Sequence, residues 1–130
     1  MNRRLLLDTH VLLWAWEDSS RLGRIGRKLL ADPEQPVVVS IVSIWELAIK
    51  QSVGKLSLDV QLEDLVRSLG VFGFELLPVL PAHILVLAAL PLHHRDPFDR
   101  TLVAQAIHEN LHLVTADPHL QEYDVQAIRL

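Results

Sequence analysis

The 130-residue chain contains no cysteine, which excludes disulfide bonds and metal sites built from thiolates. It also lacks a long uninterrupted apolar run. The most apolar stretch, residues 76–92, is broken by prolines and by His83, so it does not have the character of a membrane-spanning helix. Asp8 and His10 lie inside what would be the apolar part of an N-terminal signal peptide. We therefore expect a cytoplasmic protein with no membrane association.

The length and composition bound the number of domains. A chain of 130 residues is long enough for one domain with a substantial core and too short for two. No repeat, low-complexity tract or linker divides it, so we treat residues 1–130 as a single domain. Hydrophobic residues make up 50% of the chain and the mean hydropathy is +0.26, which is apolar for a small domain. This surplus predicts a second buried surface, in an oligomer or against a tightly bound partner.

Short apolar runs alternate with helical patterns along the chain. The runs are rich in leucine or β-branched residues and are predicted to be strands: residues 4–8, 37–41, 74–79, 112–116 and 125–130. The helical patterns between them cover residues 9–16, 21–31, 43–53, 60–69 and 96–110. Alternating strands and helices, with several strands apolar throughout, are typical of a parallel sheet covered on both faces. The sequence therefore predicts an α/β fold with about five mainly parallel strands.

Capping signals predict where two of the helices begin. Ser43 is the predicted N-cap of the helix in residues 43–53, and Ser43-x-x-Glu46 has the spacing of a capping box. Asp96 is the predicted N-cap of the last long helix, with Pro97 as its first residue. These assignments matter because Glu46 and Asp96 are also candidates for a functional site.

The stretch HENLH, residues 108–112, matches the H-E-x-x-H pattern of zinc peptidases. That pattern binds zinc only when both histidines share one helical face. His108 instead falls in the last turn of a predicted helix, Asn110 is predicted to end that helix, and His112 begins a predicted strand. The two histidines therefore lie on different elements, and we interpret them as a helix-end and a strand-start residue.

Acidic residues follow the predicted strands or begin the predicted helices. Ligands of open parallel sheets bind at the carboxyl edge of the strands, so these acids are candidates for a site. Asp8 ends the first run, directly after three leucines, and Asp117 follows the fourth run, although each also has a possible role as a cap. A capping box is the alternative role of Glu46. The cap role suffices for Asp96, whereas Asp99, one turn into the helix, is left free.

Carboxylates that converge at one edge repel one another, by about 4 kcal/mol for a pair roughly 4 Å apart at an effective dielectric constant near 20. Such a cluster needs a cation. Oxygen ligands without cysteine suit Mg²⁺ or Mn²⁺, which also bind phosphate oxygens. This combination is typical of the metal-assisted hydrolysis of a phosphodiester.

Four motifs cover nearly the whole chain and resemble, in order and spacing, the PIN-domain ribonucleases and in particular the VapC toxins of prokaryotic type II toxin-antitoxin systems. They are LLLDTHVLLW, SIWELAIK, LPLHHRDPFDRTLVAQA and LVTADP. The resemblance implies a three-layer α/β/α PIN fold and an endoribonuclease that depends on Mg²⁺ or Mn²⁺. It also implies a catalytic quartet of Asp8, Glu46, Asp99 and Asp117, with Asp8, Asp99 and Asp117 as metal ligands.

The same resemblance implies supporting residues and a type of product. Thr9, Ser43, Asp96 and Thr115 would support the site, with Asp96 as an extra acid of this subgroup and Thr115 as a hydroxyl near the last aspartate. Hydrolysis by water at such a site leaves a 5′ phosphate on the RNA product.

Partners also follow from the resemblance. VapC toxins are typically neutralised by a VapB antitoxin and usually form homodimers, so we expect a VapB-like antitoxin, a homodimer and an RNA substrate. The formal net charge of −4 equals the charge of the four quartet carboxylates, which a bound cation would offset. Cations near the motifs are then available to contact RNA: Lys50, Arg95, Arg100 and Lys55.

Three other functions remain open on the sequence. A metal-independent ribonuclease would use a pair of the seven histidines and the RNA 2′ hydroxyl. An aspartyl phosphatase would use Asp8, but its usual second aspartate is replaced by His10. A catalytically idle interaction or regulatory module would use the acids only as caps, and it would bind no metal.

Overall fold

The computed structural model describes residues 3–54 and 61–130. Five strands form one sheet: β1 (Leu5–Leu7), β2 (Val37–Ser40), β3 (Glu75–Leu77), β4 (His112–Thr115) and β5 (Ala127–Arg129). Their order is β3-β2-β1-β4-β5, and every neighbouring pair is parallel. Each strand lies within one of the predicted runs, so the predicted five-stranded parallel sheet is confirmed.

Six α-helices occur in the described residues: α1 (Thr9–Trp16), α2 (Gly23–Ala31), α3 (Ile41–Ser52), α4 (Leu62–Val71), α5 (Pro81–Ala89) and α6 (Pro97–Glu109). Short 3₁₀ turns span Ser20–Leu22 and Pro118–Glu122. None of the helices in these two ranges is both long enough and apolar enough to cross a membrane.

The helices cover both faces of the sheet, which confirms the predicted three-layer α/β/α fold. Successive side chains of a strand point to opposite faces, and β1 shows this directly. Leu5 and Leu7 pack in a core cluster with residues of α1, α2 and α4, whereas Leu6 packs in a second cluster with residues of α6. Because α5 packs against α6, it belongs to that second layer.

The structure corrects the predicted start of α3. The helix begins at Ile41, and its N-cap is Ser40, whose hydroxyl accepts a hydrogen bond from the Val42 N–H at 3.0 Å. Ser43 therefore lies inside the helix, and the predicted capping box with Glu46 is wrong. The β-branched residues after Ser40 favour a strand by propensity, but a serine hydroxyl at the end of β2 starts the helix three residues early.

The helix α5 has no counterpart in the sequence interpretation. Its N-cap is Leu80, which has no polar side chain, and its first residue is Pro81. The N–H of Leu80 donates instead to Nδ1 of His83 at 3.0 Å. Because the ring of a residue inside the helix supplies the cap, the usual preference for Ser, Thr, Asp or Asn at the N-cap gives no signal here.

The last helix, α6, matches the prediction at both ends. Asp96 is its N-cap and accepts hydrogen bonds from two backbone N–H groups, with Pro97 as the first helical residue. Asn110 ends the helix in the left-handed region, at φ 56°. His108 lies in the last turn and His112 opens β4, which confirms that the two histidines of HENLH lie on different elements.

A buried histidine joins α5 to α6. The side chain of His83 is 0% exposed, and its Nε2 lies 2.8 Å from Oε2 of Glu109. Because Nδ1 accepts the Leu80 N–H, a neutral ring carries its proton on Nε2 and donates it to Glu109. Both ring nitrogens are therefore satisfied away from water, as a buried polar group requires.

We expect His83→Ala to lower the free energy of unfolding by about 2–3 kcal/mol, because the variant loses the cap of α5, leaves a small cavity and removes the donor to Glu109. Urea denaturation followed by circular dichroism measures this change. The matched variant His108→Ala removes an exposed imidazole from α6 and should cost less than about 1 kcal/mol. Equal losses in the two variants would contradict a structural role for the buried ring.

Candidate active site

Asp8 lies at the carboxyl end of β1 and is both a helix cap and a member of the site. Its Oδ1 accepts a hydrogen bond from the Val11 N–H at 2.8 Å and so caps α1. Its Oδ2 accepts a hydrogen bond from the Thr115 hydroxyl. The strand register explains this contact, because Leu7 lies opposite Val114 and the next residue of each strand is therefore adjacent. The cap and site roles proposed for Asp8 do not exclude each other.

Asp117 follows β4 and is held in a similar way. Its Oδ1 accepts a hydrogen bond from the His119 N–H at 2.9 Å, while its own N–H donates to the Thr115 hydroxyl at 3.0 Å. The Thr115 hydroxyl therefore connects Asp8 to Asp117 across neighbouring strands. This is the place that the sequence predicted for the supporting threonine.

Asp99 lies one turn into α6 and is free of the capping bonds. Asp96 performs the cap, since its Oδ1 accepts hydrogen bonds from the N–H groups of Phe98 and Asp99 at 2.8 and 3.3 Å. The Asp99 residue is only 9% exposed, and its Oδ2 lies 3.5 Å from Nε2 of His94. The sequence expectation that Asp96 caps the helix and leaves Asp99 available therefore agrees with the geometry.

Glu46 reaches the site from the second turn of α3. It is 1% exposed, and its Oε2 lies 2.6 Å from the Lys50 ammonium one turn further along the helix. Its other oxygen, Oε1, is buried and has no hydrogen-bond partner among the described residues. A buried carboxylate oxygen without a donor is energetically unfavourable, so this atom indicates that the arrangement has a place for a further donor or cation.

The carboxylates raise one another's pKa. Burial first, and then the negative charges of Asp96, Glu46 and Asp8, raise the pKa of Asp99 to about 7, although His94 acts in the opposite direction. Burial also raises the pKa of Asp8, which hydrogen bonds partly offset. These effects place the acids in one electrostatic cluster that favours a proton or a cation.

His94 belongs to the site, but the sequence interpretation did not single it out. Its Nε2 lies 3.1 Å from Oδ2 of Asp117, and the ligand atoms of His94, Asp99 and Asp117 all lie within 4.8 Å of one another. Its Nδ1 accepts a hydrogen bond from the Asp96 N–H at 3.0 Å. A neutral ring therefore carries its proton on Nε2 and directs it at the acids. The only signal in the sequence was its position two residues before the N-cap of α6.

The match to a family model decides the family of this fold and site. The model for the PIN domain matches residues 5–126. The chain belongs to the PIN-domain family. Four of the five strands and every residue assigned to the site lie within the matched segment, and β5 begins one residue after its end, so the PIN domain described here includes the complete acidic cluster.

Two kinds of comparison find proteins that are similar to this chain over nearly its whole length. The chain is 29% identical over 127 residues to Ribonuclease VapC22 of Mycobacterium tuberculosis, covering 92% of this chain and 91% of that protein. Its fold is similar to a structure of VapBC2 from Rickettsia felis bound to a promoter DNA fragment, with 16% identity, a TM-score of 0.70 and 98% of both chains covered. It is also similar to VapBC-5 from Mycobacterium tuberculosis, with 22% identity, a TM-score of 0.65 and 98% of both chains covered.

The carboxylates of this PIN domain fit a hard divalent cation. The unpartnered oxygen of Glu46 and the raised pKa of Asp99 both indicate negative charge that the groups within residues 3–54 and 61–130 do not fully compensate. Oxygen ligands are those preferred by Mg²⁺ and Mn²⁺. His94 is not suited to ligation through Nε2 in this arrangement, because that nitrogen carries the proton in the neutral ring. Carboxylate oxygens would therefore hold the ion.

The remaining predicted residues occupy structural positions around the acids. The hydroxyl of Thr9 donates to that of Ser43 at 3.0 Å and so connects α1 to α3 beside the site. Arg100 donates from Nη2 to the Leu90 carbonyl at 3.2 Å and braces the loop before α6. Arg95 is exposed, and Lys55 lies outside the described residues.

The pKa of Asp99 predicts how stability depends on pH when no metal is bound. Its folded-state value of about 7 is above its ordinary value of 3.8, so the folded protein keeps this proton after the unfolded chain has released it. The resulting stabilisation is complete below about pH 4 and is lost as the pH rises through about 7. In EDTA, the free energy of unfolding of the wild type should therefore fall by about 3 kcal/mol more than that of Asp99→Asn between pH 5 and pH 8. Urea denaturation at the two pH values measures this difference.

The control for this experiment is Asp124→Asn, which removes an exposed acid outside the cluster. This variant should follow the wild-type pH dependence. An Asp99→Asn protein with the same pH dependence as the wild type would show that Asp99 does not retain its proton in the folded state.

Proposed function

We propose that this chain is the toxin of a type II toxin-antitoxin system and that it cleaves RNA as an endoribonuclease dependent on Mg²⁺ or Mn²⁺. The observation that carries the proposal is the convergence of buried, uncompensated acids at the carboxyl edge of a PIN-domain sheet. The similarity to Ribonuclease VapC22 supports ribonuclease activity, and the VapBC structures of the same fold support a role as a toxin. We further propose that residues 1–130 form one PIN domain.

The contacts of the acids suggest separate roles. Asp8, Asp99 and Asp117 would hold the cation, which when bound would supply positive charge at the scissile phosphate and promote ionisation of water. Asp8 and Asp117 each have one oxygen fixed by a backbone N–H, so their side chains are positioned before substrate binds. No backbone N–H of the described residues donates to the Asp99 carboxylate, and burial and the neighbouring acids raise its pKa, so a nearby cation would favour its charged form.

Glu46 is suited to orient the attacking water. Lys50 holds its Oε2, while no described residue donates to Oε1, which is therefore an acceptor for the water. The water oxygen would form a bond to phosphorus in line with the 3′ oxygen, and the bond from phosphorus to that oxygen would break. The attacking water gives up one proton and the 3′ oxygen takes one up, so the products are a 3′ hydroxyl and a 5′ phosphate.

Electrostatics are compatible with an anionic substrate although the chain carries a formal charge of −4. The quartet of acids accounts for this charge, and a divalent cation reverses the local sign of the field. Three of the four cations proposed to contact RNA lie in the described residues. Lys50 lies against Glu46 and Arg100 donates to a loop carbonyl, whereas Arg95 is exposed. Arg95 is therefore the one best placed for a direct contact with the RNA backbone.

Asp99→Asn should reduce cleavage of a mixed RNA pool at least about 100-fold in Mg²⁺ or Mn²⁺, because it removes a charge that the cation needs while the Asp96 cap keeps α6 intact. The wild type should lose activity in EDTA and leave 5′ phosphates, which a phosphate-dependent ligation of the product ends detects. Asp124→Asn is the matched control and should cleave at the wild-type rate.

Other results of the cleavage experiment would indicate one of the alternative functions. Cleavage that survives EDTA and yields cyclic phosphates would indicate a histidine ribonuclease instead. A folded protein that neither binds Mn²⁺ nor cleaves any RNA in the pool would contradict the enzymatic proposal and favour an interaction module.

We propose that the VapB-like antitoxin binds in the apolar groove between α1, α2 and α4. The groove has a volume of about 310 Å³, and Leu12, Trp16, Leu65, Leu69 and Phe72 are among its lining residues. Phe72 is exposed at its rim although it is a large apolar side chain. A second chain that covers this groove would remove that apolar surface from water.

We also propose a homodimer that buries the exposed apolar side chains of α3 and α5. Ile41, Trp45 and Ile49 are spaced four residues apart and form an exposed row on α3. Ile84 and Leu85 are exposed on α5. These side chains are part of the exposed apolar surface of the described residues, and a dimer that covers them would remove them from water.

Leu85→Glu should convert the dimer to a monomer, because it places a charge at a surface that would otherwise be desolvated. Leu85 is 74% exposed, so the change should leave the fold of the single chain intact. Val71→Glu on α4 is the matched control, since Val71 is 82% exposed and lies outside the proposed interface. Light scattering after size-exclusion chromatography gives the masses, and a dimer that persists in Leu85→Glu would contradict this interface.

A further inference from the structure

The loop between α5 and α6 is fixed by a buried tyrosine. The N–H groups of His93 and His94 both donate to the hydroxyl of Tyr123, at 3.1 and 3.0 Å. Tyr123 is buried, and its ring packs edge to face against that of His93, with ring centroids 4.9 Å apart. The backbone of this loop is therefore positioned by the core before any ligand arrives.

This loop and His119 form an open pocket of about 430 Å³ beside the acids. Among the described residues its wall consists of Leu92, His93, His94, Arg95 and His119, with no carboxylate, and we call it the histidine–arginine pocket. Within residues 3–54 and 61–130, the guanidinium of Arg95 has no carboxylate close enough to form an ion pair. The pocket therefore presents this guanidinium and the rings of His93 and His119, whereas both ring nitrogens of His94 are already engaged by Asp96 and Asp117.

These groups are suited to bind a phosphate. An imidazole offers an N–H donor whether it is neutral or charged, and a guanidinium offers a planar fork of donors that matches phosphate oxygens. The contacts of His93 and His119 with Glu122 are long, at 3.7 and 3.9 Å, and hold neither ring tightly. Both rings therefore remain available to an anion that enters the pocket.

The side chain of His94 lies between this pocket and the acidic cluster. His94 lines the pocket, its ring centroid lies 6.1 Å from that of His119, and its Nε2 lies 3.1 Å from Asp117 on the other side. An anion in the pocket is thus separated from the acids by the width of one imidazole ring. When the scissile phosphate of a nucleic-acid strand lies at the acids, the anion nearest to it is the neighbouring phosphate of the same backbone.

We propose that the histidine–arginine pocket binds the backbone phosphate of RNA that neighbours the scissile phosphate. This inference rests on the proposed ribonuclease function and gives the RNA a defined position on one side of the acids. It assigns Arg95 a specific partner and adds His93 and His119 to the substrate-binding surface. His94 forms the boundary between the two phosphates and is excluded from the test because it contacts the acids.

The first test measures RNA binding by fluorescence anisotropy, using a labelled 12-nucleotide RNA of mixed sequence and the Asp8→Asn protein in Mg²⁺. Adding Arg95→Ala should raise Kd about tenfold and reduce its salt dependence, because one contact with a phosphate is lost. Arg67→Ala removes the same charge from exposed α4 and should change Kd less than about twofold. His119→Ala, compared with the exposed His108→Ala, repeats the test for an imidazole.

The second test identifies the phosphate. In an RNA with one cleavage site, the phosphate on either side of the scissile bond is replaced by a neutral methylphosphonate. In the Asp8→Asn protein, one of the two replacements should raise Kd about tenfold, and it should have no further effect once Arg95→Ala is added, because both changes remove the same contact. Independent, multiplicative effects of both replacements would overturn the assignment.

The two proposals fail separately. A wild type that binds RNA through Arg95 and His119 but cleaves none would contradict the ribonuclease function and leave the pocket standing. A wild type that cleaves RNA while Arg95→Ala and His119→Ala bind it with unchanged Kd would retain the function and overturn the pocket.

Discussion

The candidate site depends on one constraint, which is the burial of several carboxylates at a single edge of the sheet with too few cations to balance them. Glu46 has Lys50 beside it, but Asp8 and Asp99 are buried without a lysine or arginine within ion-pair distance in the described residues. Burying a charge costs free energy unless it is compensated, and this cost appears as the raised pKa values of both aspartates. The rest of the fold must therefore hold these acids together against their repulsion.

The parallel sheet provides that rigidity. Adjacent parallel strands end at the same edge of the sheet, so Asp8 and Asp117, which follow β1 and β4, lie near each other. The Thr115 hydroxyl donates to Asp8 and accepts from the Asp117 N–H, which couples the two strand ends through one side chain. The apolar clusters on both faces fix the strands themselves, and the burial of these clusters offsets part of the cost of the charged edge.

Local patterns predicted those parts of the molecule that local physics determines. The five strands followed from apolar runs, and Asp8 and Asp117 were found because each comes directly after one of them. The start of α3 was misplaced because Ser40 and Ser43 are both acceptable caps, and only the end of β2 selects the first. His94 was missed because its role arises from contacts with residues distant in sequence, including Asp117 and Tyr123, which no local pattern encodes.

The choice between cap and functional acid, which the sequence left open, is not a choice in the folded protein. A carboxylate has two oxygens with about four lone-pair sites, so Asp8 and Asp117 each cap a turn with one oxygen and present the other to the site. The same accounting constrains His94, whose Nε2 proton faces Oδ2 of both Asp99 and Asp117. A cation bound by these oxygens would compete with the His94 proton for the same lone pairs. Metal binding at this site must therefore displace or share that hydrogen bond, and the strength of the His94 contact helps to set the metal affinity.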